Sequence, residues 1–285
     1  MSDWLVVRTP SGLSGDMFAA GLARLLGLDT VALAERVRRI GLPALHGAAV
    51  LEPRSVRGIV AWGLRVNLPD ETAHRPLAEI AAVIDASALA PAARRVARAT
   101  FERLAEVEGE IHGVPPERVH FHEVGALDSI LDICLTAELH AEMGSPAVAC
   151  SPLPVSDGQV RCQHGLLATP APAVLRMLEG VPVYGVSGAG ETVTPTALAL
   201  LHALDTRFGE WPAMTVRRTA RTLGTRILPG VPNGALFAWG AAACVPVDGR
   251  AACSPPGVAA GEHHHPHRHD PAHDNSSARA RHHGP

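Results

Sequence analysis

The chain contains no lysine: all 25 basic side chains are arginine. A Walker A phosphate loop, a pyridoxal phosphate Schiff base and a lysine general base are therefore excluded. Aromatic residues are also scarce, at 4%, so the core must be built from Ala, Leu and Val. No segment holds about 18 uninterrupted apolar residues, and no membrane span is expected. Met1–Trp4 carries no basic region followed by an apolar stretch, so no signal peptide is expected. Five scattered cysteines, an odd number, argue for reduced thiols and a cytoplasmic protein. The 28 acidic residues nearly balance the 25 arginines, which speaks against a nucleic-acid binder.

What the chain does have is a 47% hydrophobic composition over 285 residues. That length can bury roughly 75% of the unfolded surface in one or two domains. Histidine divides the chain. Eight of the 16 histidines precede residue 250, and eight lie between His263 and His283. The stretch beyond residue 240 is rich in Pro, Gly, Ala and His and lacks hydrophobic periodicity. It reads as a disordered His-rich tail over 241–285, leaving a folded domain over 1–240.

Within that domain, Trp4–Val7 predicts a strand, followed by a turn into a helix near Asp16–Leu26. Asp29 or Thr30 caps a second helix. Ala48–Pro53 and Ile59–Leu68 predict a strand pair. Helices are expected over 77–84, 91–111, 123–143, 172–178 and 195–208, and closing strands at Thr215–Thr219 and Ala235–Trp239. The expected fold class is mixed α/β or α+β: a mixed-direction sheet packed with several helices.

The densest polar cluster runs from Val119 to Asp132. In an extended segment His120 and His122 project to one side of Phe121. Glu123 is expected to open the helix, and Asp128 and Asp132, four apart, share one of its faces. Imidazole and carboxylate donors suit nickel, zinc, cobalt or iron. The same pattern also serves a capped helix whose acids pair with arginines. Cys162-Gln-His164 places a thiol and an imidazole on one side of a loop, a second candidate ligand pair; a small buried Cys beside a structural His is the alternative.

Ser11, Gly12, Ser14, Gly15 and Asp16 form a strand-to-helix turn able to hold an anion, or simply a turn. Thr194 and Thr196 open a helix whose N-terminus suits a phosphate or carboxylate, or is ordinarily capped. Arg8 and Arg226 are further cations available to a phosphate. In the tail, His263, His264, His265, His267 and His269 have a metal-binding composition. An affinity tag would read similarly, but Pro266 and Arg268 interrupt the run.

These pieces, in this order, resemble the LarC family of nickel insertion proteins. The resemblance is carried by Ser11-Gly-Leu-Ser-Gly-Asp-Met17, Val119-His-Phe-His-Glu-Val-Gly-Ala-Leu-Asp-Ser-Ile-Leu-Asp-Ile133, Ser151-Pro-Leu-Pro154, Cys162-Gln-His-Gly165, Thr169-Pro-Ala-Pro172, Gly180-Val-Pro-Val183 and Val193-Thr-Pro-Thr196. It spans about residues 5–210. It implies a nickel-inserting lyase that metallates pyridinium-3,5-bisthiocarboxylic acid mononucleotide, forming nickel–carbon and nickel–sulfur bonds to make the nickel-pincer cofactor. It also implies CTP with magnesium or manganese. On this resemblance Asp128, Asp132 and Glu123 are the expected catalytic groups. His120, His122, Cys162 and His164 are the expected nickel ligands, joined by the tail histidines. The turn at 11–16 and Thr194 and Thr196 are the expected anion pocket.

Three departures stand out. Arg8-Thr-Pro10 replaces the family's Asp-Cys-Phe. Ala220-Arg-Thr-Leu-Gly224 has lost glycines. The further C-terminal domain associated with CTP is not expected here, so a separate CTP-binding subunit is an expected partner. A homo-oligomer is left open. The other reading is a non-enzymatic nickel chaperone or store.

Overall fold

The computed structural model describes residues 3–69, 75–121, 124–162, 164–187, 190–226 and 234–243, and the backbone of 245–247 and 250–252. The chain opens with β1 (Asp3–Arg8), α1 (Gly15–Leu26) and α2 (Thr30–Arg38). A hairpin follows, β2 (Ala49–Val56) and β3 (Ile59–Val66), then β4 (Arg75–Pro76), α3 (Leu77–Ala86) and α4 (Pro91–His112). Next come β5 (His120–Phe121), α5 (Leu127–Glu142), β6 (Ala147–Cys150) and β7 (Leu153–Ser156). A second hairpin, β8 (Gly158–Cys162) and β9 (Gly165–Thr169), leads to α6 (Pro172–Met177), β10 (Val183–Val186) and α7 (Pro195–Ala203). The last elements are β11 (Arg207–Phe208), β12 (Met214–Thr222), β13 (Ala235–Ala242), β14 (Val245–Val247) and β15 (Arg250–Ala252). Regular structure thus runs a little past residue 240.

Seven strands form the main sheet in the order β11-β6-β1-β13-β12-β3-β2. β1 is parallel to β6 and antiparallel to β13, which is antiparallel to β12. β12 and β3 are parallel, and β11 follows β6. So β1, β3, β6, β11 and β12 all point one way, while β2 and β13 run back. This is the expected mixed-direction α/β architecture. The strands predicted to close the fold instead sit centrally, because β13 supplies the inner partner of β1.

Alternation along the strands explains the layers. Leu5 and Val7 of β1 join Phe237 of β13 in the large core with the helices, while Trp4 and Val6 join Ala149 and Ala238 on the opposite face. α1 is nearly all apolar and buried on most of its surface. A helix apolar all round is a core helix. Its Gly21 lets it approach the sheet, since a Cβ there would overlap the Phe237 ring. α1 ends at Gly27, whose φ of 75° is the left-handed conformation glycine adopts without strain. α2 starts as expected at Asp29, whose carboxylate accepts the Ala32 N–H at 2.8 Å. Among the described residues no single helix is long and apolar enough to cross a membrane.

Two helices differ from expectation. The helix predicted from Glu123 begins only at Leu127. Gly125 packs against Phe121, and its carbonyl accepts a bond from Arg75 Nη1 at 2.8 Å, so this stretch is held as a turn. The helix predicted through Phe208 stops at Ala203, because Asp205 takes a left-handed φ of 49° and Arg207–Phe208 pairs with β6.

Glu138 of α5 is 1% exposed and ties three helices together. It binds Arg39, next to the end of α2, and accepts the Ala90 N–H at the start of α4 at 2.8 Å. Glu138→Ala is expected to cost roughly 2–3 kcal/mol, less than breaking a fully buried pair because Arg39 is half exposed. Urea denaturation checks this, and an unchanged midpoint would refute it.

Candidate functional site

Three of the five strands that share a direction, β1, β3 and β12, end at a cleft of about 460 Å³. In sheets of this kind ligands bind beyond the carboxyl ends of the strands. The turn after β1, the end of β3 and the segment after β12 all line it. So do the starts of α1, α5 and α7. Its walls are fastened by backbone. The Leu13 N–H bonds the Thr192 carbonyl at 3.0 Å, and the Thr194 N–H bonds the Leu13 carbonyl at 3.1 Å. Two segments about 180 residues apart in sequence thereby become one surface.

The site residues expected at the β1–α1 turn take these places. Ser11, Ser14, Gly15 and Asp16 line the cleft. Ser11 Oγ donates to the Gly234 carbonyl at 3.2 Å, and Ser14 Oγ donates to the Asp16 carboxylate. Gly12, with φ of 105°, lies against the backbone of Thr192, and a Cβ there would overlap the Thr192 carbonyl. Thr194 and Thr196 line the adjoining wall, with Thr194 Oγ1 capping α7 by accepting the Ala197 N–H at 3.3 Å.

Asp128 and Asp132 enter from the first turns of α5, on one face as their spacing requires. Asp128 accepts the Ser129 N–H at 2.7 Å. Asp132 sits against the start of α1. A Cβ on Gly15 would stand 2.5 Å from Asp132 Oδ2. Asp132 Oδ1 is closed off from solvent and has no hydrogen-bond partner among the described residues. Burial raises the Asp132 carboxyl well above its ordinary value, and the nearby charges of Asp16 and Asp128 push it further. Burial also raises Asp16, opposed by the Ser14 hydroxyl, the Met17 N–H and the charge of Arg54. A buried carboxyl of raised proton affinity beside other carboxylates is an arrangement suited to moving a proton.

Cations face these acids. Arg54, Arg65 and Arg226 also line the cleft, with Glu191. Arg54 lies along β3, donating to the carbonyls of Leu223 and Leu64 at 3.4 and 3.5 Å. Gly63 makes the room, since a Cβ there would overlap the guanidinium. Arg54, Arg65 and Glu191 escaped the sequence reading. Their strand and loop positions bear no motif, and only the folded sheet brings them to the cleft, with Arg54 near enough to act on Asp16.

The other expected site residues lie elsewhere. His120 is exposed on β5, opposite Pro76 of β4. Cys162 and His164 flank the turn of the β8–β9 hairpin, with Cys162 Sγ 4.0 Å from His164 Nδ1, and neither lines the cleft. His122, Glu123, His263, His264, His265, His267 and His269 lie outside the described residues. Among the described residues no three His, Cys, Asp or Glu side chains stand together in a metal-holding arrangement.

Fold and cleft together define a mixed α/β protein with carboxylates and arginines gathered at the strand ends. Residues 5–254 match the nickel insertion protein family, and the chain belongs to that family. A relative from Geobacter metallireducens named for nickel insertion is 43% identical over 223 residues, covering 78% of this chain and 57% of its own length. Relatives from Geotalea daltonii and Syntrophobacter fumaroxidans, named alike, are 41% and 42% identical over similar spans. The chain thus spans a little over half the length of these curated relatives. No solved structure matches it.

Proposed function

We propose that the chain takes part in inserting nickel into pyridinium-3,5-bisthiocarboxylic acid mononucleotide, as a nickel-inserting lyase of nickel-pincer cofactor synthesis, with the cleft as its substrate site. The observation that carries this reading is that Asp16, Asp128 and Asp132, with a buried, unpartnered Asp132 oxygen, line one cavity with Arg54, Arg65 and Arg226. The arginines and the Thr194–Thr196 helix start suit the nucleotide phosphate. Nickel enters as substrate. Two sulfurs and one ring carbon bond the ion, and the ring C–H proton leaves. Asp132 in its ionised form accepts that proton, and its raised pKa makes it a stronger base than an exposed carboxylate. Asp128 and Asp16 tune it through their charge. Glu123 remains a candidate partner in proton transfer.

Asp16, Asp128 and Asp132 do not stand together as a metal-holding group, so the magnesium or manganese ion that the resemblance implies is not fitted by the described residues of the cleft. The fit to CTP is poor as well. A cavity of about 460 Å³ is the size of one mononucleotide-sized ligand, which the substrate itself occupies. A separate CTP-binding subunit is the proposed partner. His120, His122, Cys162 and His164 are proposed as stations for nickel outside the cleft. The protein is proposed to work in the cytoplasm, without nucleic acid or membrane.

The test is to incubate the chain with Ni²⁺, Mg²⁺, CTP and the bisthiocarboxylate nucleotide, with and without such a subunit, and to weigh the product. A metallated nucleotide supports the lyase. Nickel retained without product in both arms supports the second reading, a nickel chaperone or store, which the eight histidines from His263 to His283 favour.

Those tail histidines are proposed to buffer nickel. Truncation after Val247 is expected to lower the nickel bound per chain and to impair function only when nickel is scarce. A nickel titration of full-length and truncated chain checks this. Loss of function at saturating nickel would place the tail in the active site.

A further inference from the structure

β12 and β3 are neighbours in the sheet, yet they pair at one point, Thr222 with Trp62, where the Leu223 N–H bonds the Trp62 carbonyl at 2.8 Å. The cleft takes the residues after this junction on both strands. A second cavity, of about 420 Å³, takes those up to it.

Strand register sets the floor of this cavity. Arg8 of β1 stands opposite Leu236 of β13, and Leu236 stands opposite Arg221 of β12. Paired residues share a face. Alternation from Trp4 and Val6 puts this row on the face turned away from the helices. Leu236 and Arg221 line the cavity together with Trp211, which is 51% exposed. Trp62 of β3 and Arg24 of α1 line it too.

The cations here are held by rings and lack counter-charges. The Arg24 guanidinium lies 3.9 Å from the Trp62 ring centroid, and that of Arg8 lies 5.1 Å from the Trp211 centroid. A guanidinium stacked by its face keeps its N–H edge for an anion. Arg8 gives Nη1 to the Gly209 carbonyl at 2.6 Å. Its Nε and Nη2 are shielded from solvent and have no hydrogen-bond partner. Those two nitrogens form the side-on fork that fits a carboxylate. Unmade donors of this kind are costly, so stacking on an indole does not by itself account for them. Nearby Arg217 is neutralised by Asp3 at 2.7 Å, but Arg8, Arg24 and Arg221 form no ion pair among the described residues. Glu210 acts on Arg8 through its charge, without a bond.

We propose that this cavity is a binding site for an aromatic carboxylate, whose ring packs on the indoles and Leu236 and whose acid group meets the guanidiniums. The site is separate from the cleft and does not depend on its nickel reading. Two tryptophans supply flat apolar surface, which an inorganic anion would leave unused. Three arginines without counter-charges disfavour a neutral ring. The volume suits one small ring compound. Reaching the Arg8 fork needs the Trp211 indole to turn, and its exposure leaves it room. Binding is non-covalent, and no bond is made or broken.

The experiment is a titration of the full chain with benzene-1,3-dicarboxylate, followed by tryptophan fluorescence and by calorimetry. Wild type is expected to bind with a Kd on the order of 0.1 mM and to change its fluorescence. Cyclohexane-1,3-dicarboxylate keeps the charges without the flat ring, and benzene-1,3-dicarboxamide keeps the ring without the charges. Each should bind at least ~10-fold more weakly. Arg221→Ala should weaken binding of the aromatic diacid ~10-fold or more. Trp211→Phe should keep most of the affinity and lose much of the fluorescence change. Arg226→Ala, in the cleft, should bind as wild type does. Circular dichroism of each variant separates ligand loss from misfolding, and Arg221→Gln serves if the alanine variant unfolds. No saturable binding, equal binding of the cyclohexane compound, or unchanged affinity in a folded Arg221 variant each overturns the site. Loss of binding in Arg226→Ala with retention in Arg221→Ala would put the compound in the cleft and overturn it as well. Nickel insertion is not read in this titration, so a failed cleft reading leaves the result standing.

Discussion

Replacing Asp132 by asparagine is expected to lower nickel insertion ~100-fold or more, the usual worth of a lost general base. The chain should remain folded and become more stable at neutral pH. Asparagine has the same shape but no charge to bury, and it can donate to as well as accept from its neighbours. The pH dependence identifies the mechanism. Asp132 is raised by burial first, then by the charges of Asp16 and Asp128. The native state therefore holds this proton to higher pH than the unfolded chain does. Stability from this group is full below the unfolded carboxylate range near ~4 and is lost as pH rises toward the native value. The advantage of the asparagine variant should thus be absent in acid and grow as pH rises from about 4, reaching on the order of 1 kcal/mol or more. Urea melts from pH 4 to 8 check this. A variant less stable than wild type at pH 7 would mean that Asp132 is a paired structural acid, and the role given to it would be wrong.

Gly12→Ala should be more damaging to the fold than any change of a cleft side chain. Gly12 combines two demands. Its φ of 105° is strained for any residue with a Cβ, and the Cβ would collide with the Thr192 carbonyl, which already accepts the Leu13 N–H. Backbone cannot swing aside as a side chain can. The expected cost is on the order of 3 kcal/mol or more. The Leu13–Thr192 and Leu13–Thr194 bonds should open, pulling the α7 start from the cleft. Hydrogen exchange at Leu13 and Thr194 should rise sharply, and substrate binding should fall with it. Native protection at both amides in a folded variant would show that the turn can absorb a Cβ.

The strands and helices were legible because local rules govern them. Asp29 caps α2, Pro91 starts α4, and the alternation through Val60, Trp62, Leu64 and Val66 marks β3. Errors fell where a distant partner overrides local preference. Arg75 holds the Gly125 carbonyl and delays α5, and β6 claims Arg207–Phe208 from the end of α7.

The cleft divides in the same way. By itself the sequence determined that Asp128 and Asp132 share a helix face, because a spacing of four residues is a property of the helix alone. It also marked the turn at 11–16 and the helix start at 194–196 as places where backbone N–H groups face outward. Only the tertiary structure decided that these belong together. The sheet order carries the end of β1 and the bridge at Val193 to one side, and α1 packs onto α5 so that Gly15 touches Asp132. It alone brought Arg54 close enough to act on Asp16. Local spacing governs which face a residue takes. Which faces meet is settled by the burial of α1 and the pairing of strands far apart in the chain, and no local pattern contains that.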